Sequence, residues 1–176
     1  CADNRGMGVV LLGLRGSGKT TLGRLLADRL WGKCVDTDEL ITRAAGKSIA
    51  EIFATVGESG FRDLEEIALR EALAGKPEVI SAGGGIVLRE ANRTALKSSN
   101  YKRIYLRCEP SELHRRVIAD PSTVAARPQL TSVGGLAEIE QLMRDREPLY
   151  REVITGELDV TNLSPEEAVT WLGKMA

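Results

Sequence analysis

The sequence lacks a strong net charge, and this absence excludes one broad set of partners. Its 24 lysines and arginines nearly balance its 25 aspartates and glutamates, so the formal net charge is -1. A chain that binds nucleic acid or an anionic membrane through its overall field carries a marked positive charge. We therefore expect no nucleic-acid partner and no membrane partner, and any anion-binding site must come from the local placement of arginines.

Paired cysteines and long apolar runs are also missing. The three cysteines, Cys1, Cys34 and Cys108, are odd in number and have no paired spacing, which excludes a disulfide framework. No apolar run approaches the roughly 20 residues that a membrane span needs, and Cys1–Met7 has no apolar signal-peptide region. These absences favour a reduced, cytoplasmic setting.

What the sequence has is a regular alternation of short apolar runs and helical patterns over 176 residues, which fits one domain, 1–176. The apolar runs are typical of short buried strands, and they lie at 8–12, 34–35, 79–81, 101–106 and 158–160. Strands that alternate with helices predict a three-layer α/β fold, with a parallel sheet between two layers of helices. In such sheets ligands bind at the carboxyl ends of the strands.

Two helix starts and one long loop punctuate this pattern. Ser48 with Glu51 forms a capping-box pattern, and Ser164 is followed by a proline and then by a glutamate at the third position. The longest stretch without periodicity runs from Ala119 to Gly135. Long loops in compact domains often serve as lids, so we predict a mobile lid at about residues 119–135.

The segment from Gly13 to Thr20 matches the phosphate-binding pattern G-x-x-x-x-G-K-[ST] in full, and it lies between a strand and a helix. Its glycines let successive N–H groups point at phosphate oxygens, and the following helix N-terminus adds positive partial charge. Lys19 can reach the β- and γ-phosphates, and the Thr20 hydroxyl can ligate Mg²⁺. We expect ATP to bind at Gly13, Gly16, Ser17, Gly18, Lys19, Thr20 and Thr21. Arg15 is interpreted as an ordinary solvated side chain.

Two carboxylates, Asp36 and Asp38, follow the second strand. If that strand continued, its period of two would put both side chains on one face. Beside a bound nucleotide, one could hold Mg²⁺ and the other could act as a base for a substrate hydroxyl. The alternative is turn chemistry, in which an aspartate at a loop start caps the next helix.

Arginines and a glycine triplet complete the candidate groups. Phosphoryl transfer needs positive charge near the migrating group, and Arg127 in the predicted lid could close over it. Arg62 and Arg146, taken alone, are ambiguous, because most helical arginines are simply exposed. Gly83-Gly84-Gly85 follows a buried strand, and it predicts either a close approach of backbone to a ligand or a tight turn.

In combination these residues resemble the shikimate kinase family over nearly the whole chain. The resemblance is carried by the phosphate loop, Asp36-Thr37-Asp38, Gly46-Lys47-Ser48-Ile49, Ile52-Phe53, Gly57-Glu58, Phe61-Arg62 with Glu65, the glycine triplet, Arg127-Pro128 and Arg146-Glu147-Pro148-Leu149-Tyr150. The phosphate loop alone names only a large superfamily. The ordered set is far more specific.

The resemblance implies a P-loop kinase fold with a five-stranded parallel sheet, and the conversion of ATP and shikimate to ADP and shikimate 3-phosphate in aromatic amino acid (chorismate) biosynthesis. The residues implied to bind shikimate are Asp38, Arg62, Gly83, Gly84, Gly85 and Arg146. Asp38, Lys19 and Arg127 are implied to be catalytic, and Thr20 with Asp36 to hold Mg²⁺. Arg127 also meets the phosphates. Either Arg115 or Arg116 could stack on adenine, and Arg116 is counted among the ATP-binding residues. We carry over no residue from the adenine loop near Asp159 to Pro165.

Two rival functions remain open. The first is another small-metabolite kinase of the superfamily, such as gluconate kinase, which would share the loop and lid but would not need the paired arginines. The second is a nucleotide-binding module or GTP switch, which is disfavoured because no Asn-Lys-x-Asp element occurs. With no long apolar stripe left over, a monomer is expected.

Overall fold

The computed structural model describes residues 8–120 and 134–176, and in this part of the chain it contains one parallel sheet of five strands. The strands are β1 (Val9–Leu12), β2 (Cys34–Asp36), β3 (Val79–Ser81), β4 (Lys102–Arg107) and β5 (Gly156–Asp159). Their spatial order is β2-β3-β1-β4-β5, with every neighbouring pair parallel. The prediction of a five-stranded parallel sheet is confirmed.

Helices follow the strands as the periodicity predicted. They are α1 (Lys19–Arg29), α2 (Thr37–Ala45), α3 (Ile49–Gly75), α4 (Glu90–Ser98), α5 (Pro110–Ala119), α6 (Gly135–Val153) and α7 (Pro165–Met175), with a 3₁₀ turn at Ile86–Leu88. Helices α1 and α7 pack on each other, while α3, α4 and α6 contact the 3₁₀ turn. No helix in the described ranges is long and apolar enough to span a membrane.

Strand β1 lies at the centre of the sheet because all four of its residues are apolar. Each is at most 1% exposed, as a strand covered by helices on both faces must be. Its neighbours β3 and β4 run beside it in register, with Val10 opposite Ile80 and Arg103. Because the strands are parallel, the residues that follow β1, β2 and β3 emerge at the same edge of the sheet.

Both helix starts that the sequence marked are capped as predicted. The Ser48 hydroxyl accepts from the Glu51 amide while Glu51 reaches back to the Ser48 amide, and Ser164 with Glu167 does the same. Helix α3 is divided by Gly57, whose φ of 69° and ψ of -175° are not helical. The second part of α3 begins at Glu58.

Some boundaries differ from the sequence prediction. Strand β2 ends at Asp36, one residue beyond the predicted run at 34–35, and Thr37 already begins α2. The last strand starts at Gly156, two residues before the apolar run that was expected to form it. The predicted lid at about 119–135 lies almost wholly outside the described residues. Arg127 is one of the residues outside them.

Candidate active site

The phosphate loop joins β1 to α1 and has the backbone that its glycines predict. Gly16 and Gly18 have φ of 85° and 88°, in the left-handed region where a side chain is strained. The Ser17 amide donates to the Leu14 carbonyl oxygen at 3.2 Å, and Lys19 Nζ donates to the same oxygen at 2.8 Å. This lysine is only 9% exposed, so its ammonium lies inside the curl of the loop.

The carboxylate of Asp36 joins three elements beside that loop. Its Oδ2 accepts from the Thr20 hydroxyl of α1 at 2.7 Å and from the buried Ser81 hydroxyl of β3 at 2.9 Å. Its Oδ1 accepts from the backbone amides of Asp38 at 2.9 Å and Glu39 at 3.4 Å, so Asp36 is the N-cap of α2. The strand does not continue to Asp38, so the condition for both side chains to share one face is not met, and the capping alternative forms.

The glycine triplet lies against the side chains expected to bind substrate. A Cβ on Gly83 would come within 2.6 Å of Asp38 Oδ1, and one on Gly85 within 2.0 Å of Arg62 Nη1. Gly84 faces the phosphate loop, where a Cβ would lie 3.4 Å from the Gly13 carbonyl oxygen. With φ of -95° at Gly85, the triplet serves close approach rather than a left-handed turn.

Arg62 is buried in a network of carboxylates on α3. Its Nη1 donates to Glu65 Oε2 at 2.6 Å, and its Nη2 donates to Glu58 Oε1 at 2.9 Å. Its Nε is buried and has no hydrogen-bond partner among the described residues. A buried donor without a partner is costly, so this atom is available to an anionic ligand.

Arg146 approaches the same region from α6. It is 7% exposed, and its Nη1 donates to the Gly84 carbonyl oxygen at 3.1 Å. The hydroxyl of Tyr150, one turn further along α6, donates to the same oxygen at 2.6 Å, and its ring stacks on Tyr105 with centroids 5.0 Å apart. The backbone of the glycine triplet is therefore held to α6 by two side chains.

Glu65 is the buried counter-charge of both arginines. It is 1% exposed, and burial raises the pKa of its carboxyl above the ordinary 4.5, against the opposing effect of Arg62 and Arg146. Burial alone would lower the pKa of Arg62, but Glu65 and Glu58 outweigh it and raise that pKa. Arg62 therefore stays fully charged in a largely dehydrated place.

Two adjoining cavities hold these groups. The phosphate-loop cavity has a volume of about 790 Å³ and is lined by residues 15–22, Asp36, Ser81 and residues near α5 and α7. The arginine cavity has a volume of about 230 Å³ and is lined by Arg62, Arg146, Glu65, Gly84, Gly85 and an apolar wall of Phe53, Phe61, Ile118, Ile139 and Leu142. Asp38, Arg15, Ile49 and Val117 border both cavities.

The far end of the phosphate-loop cavity brings α5 to the loop before α7. Arg116 Nη2 donates to the carbonyl oxygens of Val160 at 2.9 Å and Thr161 at 3.3 Å, whereas the Arg115 side chain is 68% exposed. Both arginines bond Glu112 and lower the pKa of its carboxyl to about 2, Arg115 most strongly. Arg116 is therefore the arginine that is held at this far end of the phosphate-loop cavity. The cavity is lined there by Val160, Leu163, Ser164 and Pro165.

The structure thus brings together the sequence-predicted residues of the described chain, with one interpretation corrected. Arg15 is half-buried at the rim of both cavities rather than an ordinary solvated side chain. Sequence reasoning missed Ser81, which holds Asp36. A serine in a fully buried strand just before the glycine triplet was the available signal, because buried hydroxyls need partners.

A phosphate-binding loop after the central strand of this sheet, with a second cavity at the carboxyl edge, defines the chain as a P-loop kinase. A sequence model of the family "Shikimate kinase" matches residues 15–175. The chain belongs to the shikimate kinase family, and it is a small-molecule kinase that uses a nucleotide co-substrate.

Individual relatives agree with this family. A shikimate kinase of Rhodopirellula baltica is 43% identical over 166 residues, which cover 94% of this chain and 88% of the relative. The solved shikimate kinase from Acinetobacter baumannii in complex with shikimate gives a TM-score of 0.90 at 30% identity, covering 99% of this chain and 94% of that chain. Shikimate kinase from Aquifex aeolicus gives 0.77 at 30% identity and covers 94% of each chain.

Replacing Glu65 by glutamine should change how stability depends on pH. Because the pKa of Glu65 is raised above its ordinary 4.5, the folded protein holds this proton more tightly than the unfolded chain does. The resulting stabilisation is complete below about pH 4.5 and is lost as the pH rises through the folded-state pKa. We expect the difference in unfolding free energy, wild type minus Glu65→Gln, to be smaller at about pH 8 than at about pH 4.

Urea unfolding of both proteins across this pH range measures that difference. Glu71→Gln, an exposed change on the same helix, shows what the substitution does without burial. A difference that grows with pH would mean that the two arginines dominate the environment of Glu65 and would refute the expectation.

Proposed function

We propose that this chain transfers the γ-phosphoryl group of ATP to the 3-hydroxyl of shikimate, giving shikimate 3-phosphate and ADP. The step belongs to aromatic amino acid (chorismate) biosynthesis. The single observation that carries the proposal is the arginine cavity, in which Arg62 and Arg146 lie together and Asp38 borders the phosphate-loop cavity. A small acid held there has one end at the arginines and a hydroxyl toward the nucleotide.

The carboxylate of the acid binds between Arg62 and Arg146. A guanidinium is a planar fork that matches a carboxylate, and two buried ones pin it more firmly than exposed lysines could. The buried Nε of Arg62 supports this role, since it has no partner among the described residues and a bound carboxylate would supply one. The backbone of Gly83, Gly84 and Gly85 lies beside the acid because no side chain stands in the way.

Asp38 orients the reacting hydroxyl and accepts its proton. The hydroxyl oxygen forms a bond to the γ-phosphorus while the bond from that phosphorus to the bridging oxygen breaks. The electron pair of the broken bond stays on ADP, and the hydroxyl proton passes to the Asp38 carboxylate. The position of Asp38 at the border of both cavities and at the first turn of α2 supports this role.

The phosphate loop holds the nucleotide. Its backbone amides and the start of α1 take the phosphates, Lys19 neutralises charge on the transferred group, and Thr21 lines the same cavity. Arg116 lies at the far end of the phosphate-loop cavity, where the adenine base would bind. Arg127 as the lid arginine at the phosphates stays a prediction, since it lies outside the described residues.

Mg²⁺ is proposed as the accompanying ion. In the described ranges no cluster of three or more His, Cys, Asp or Glu could hold a metal by itself. Thr20 and Asp36 nevertheless offer adjacent oxygen atoms beside the phosphate loop, which suits a hard cation that keeps waters and takes phosphate oxygens. When bound, the ion would neutralise developing charge on the phosphate oxygens.

A coupled ADP-release assay with Mg²⁺-ATP tests the activity, with mass detection of the phosphorylated acid. Shikimate should be turned over, and gluconate, the acceptor of the rival kinase, should not. Phosphorylation of gluconate in place of shikimate would overturn the proposal, and nucleotide binding without turnover of either acid would favour a non-catalytic module.

Arg146→Met should raise the KM for shikimate by about 10- to 100-fold, since it removes charge-assisted hydrogen bonds to the acid. The kcat should change much less. Arg144→Met is the matched control, because Arg144 is exposed two residues earlier on α6 and bonds only Gln141 among the described residues. Steady-state kinetics at saturating ATP measures both variants, and an unchanged KM in Arg146→Met would contradict the clamp.

Asp38→Asn should lower kcat by about 100-fold or more, because the amide cannot accept the hydroxyl proton. Affinity for ATP should stay within about threefold, since the amide keeps the shape of the carboxylate. Asp28→Asn, an exposed change outside both cavities, is the control. Single-turnover kinetics and nucleotide titration separate the two effects, and a kcat equal to wild type would remove Asp38 as the base.

Other expectations about the whole protein stay predictions. They are a single domain, a monomer, a cytoplasmic location, and the lack of nucleic-acid or membrane partners. The near-zero net charge supports the last of these.

A further inference from the structure

The phosphate loop carries a second cation besides Lys19. Arg15 follows the buried Leu14 and precedes Gly16, whose left-handed φ turns the loop. It is half-buried, and burial lowers the pKa of its guanidinium, an effect that Glu138 and Asp120 partly oppose. An arginine stays protonated in spite of such a shift, so Arg15 keeps a full charge in a partly dehydrated place.

Arg15 lies between the two cavities that the proposed reaction connects. Among the described residues four border both cavities, and of these Asp38 and Arg15 are the charged ones. In the proposed reaction the phosphoryl group must pass from one cavity to the other. Groups that line both cavities therefore flank this passage, one with a negative charge and one with a positive charge.

The two carboxylates that act on Arg15 lie one in each cavity. Glu138 lines the arginine cavity and Asp120 lines the phosphate-loop cavity. Both act on the same guanidinium through their charge. A phosphoryl group in the passage presents three acceptor oxygens that share its negative charge, so it competes with these carboxylates for this cation.

The geometry points to the phosphoryl group rather than to the carboxylate of the acid. Glu138, Leu142 and Arg146 follow one another at i, i+4 and i+8 on the cavity face of α6. Eight residues of helix separate Glu138 from Arg146 by about 12 Å. Arg15 interacts with the Glu138 end, whereas the carboxylate of the acid is proposed to lie at the Arg146 end.

We propose that Arg15 is a further catalytic residue, whose guanidinium contacts the transferred phosphoryl group between ADP and the acceptor hydroxyl. The inference rests on the proposed function for the identity of the acceptor. The bonds that form and break are those of that reaction. Arg15 adds no covalent step, and it stabilises negative charge on the phosphoryl oxygens during transfer.

Binding without acceptor tests the contact first. ADP and the non-hydrolysable analogue AMP-PNP are titrated into wild type, Arg15→Met, Arg15→Lys and the control Arg70→Met. Arg70 is exposed and lines neither cavity. We expect Arg15→Met to bind ADP within about twofold of wild type and AMP-PNP at least about fivefold more weakly, because only AMP-PNP has the third phosphoryl group. Arg15→Lys should recover part of this loss.

Steady-state kinetics with shikimate tests the catalytic part. We expect Arg15→Met to lower kcat by roughly 10- to 100-fold, with the KM for shikimate within about threefold of wild type. The loss of kcat would be larger for a fully buried donor to a developing oxyanion. Thermal unfolding checks that each variant is folded.

Three results would overturn the inference. An unchanged ratio of AMP-PNP to ADP affinity would show that Arg15 does not meet the third phosphoryl group. A raised KM for shikimate at constant kcat would make Arg15 a third carboxylate-binding arginine, and wild-type kinetics would make it a solvated side chain. If wild type itself fails to use shikimate, the proposed function fails, whereas the affinity ratio still reports on Arg15.

Discussion

The carboxylate of Asp36 is the contact on which the geometry of the site depends. It accepts hydrogen bonds from the Thr20 hydroxyl at the start of α1, from Ser81 at the end of β3, and from the backbone at the start of α2. One buried group thus fixes the relative positions of the phosphate loop, the end of β3 before the glycine triplet, and the helix that carries Asp38. Because a buried carboxylate needs all its partners, these three elements are constrained together.

The glycine triplet adds a second constraint, which depends on the absence of side chains at these positions. Side chains at Gly83 and Gly85 would occupy the places of the Asp38 carboxylate and the Arg62 guanidinium. The Gly84 carbonyl oxygen in turn accepts from Arg146 and Tyr150, so the same short segment sets the distance between α6 and the sheet. The arginine cavity exists because backbone, rather than side chain, forms one of its walls.

Much of the fold and site could be read from local pattern. The phosphate loop, the capping of α3 by Ser48 and the strand at Val79–Ser81 each depend on neighbours in sequence, and each was predicted. The end of β2 was predicted to within one residue, but the choice between strand and helix cap at Asp36 was left open, because the position of its carboxylate depends on hydroxyls 16 and 45 residues away. Arg15 was misjudged for a similar reason, since it borders a cavity that residues of α5 and α6 complete.

The sequence by itself determined the class of fold, the position of the phosphate loop and, through the ordered motifs, the family. These follow from periodicity and from spacings within short segments, where few conformations are sterically open. Only the tertiary structure decided that Arg62 and Arg146, 84 residues apart, face one cavity, and that Arg15 and Asp38 border both. Such relations depend on how helices pack on the sheet, and no local preference of the chain encodes a distance between residues so far apart.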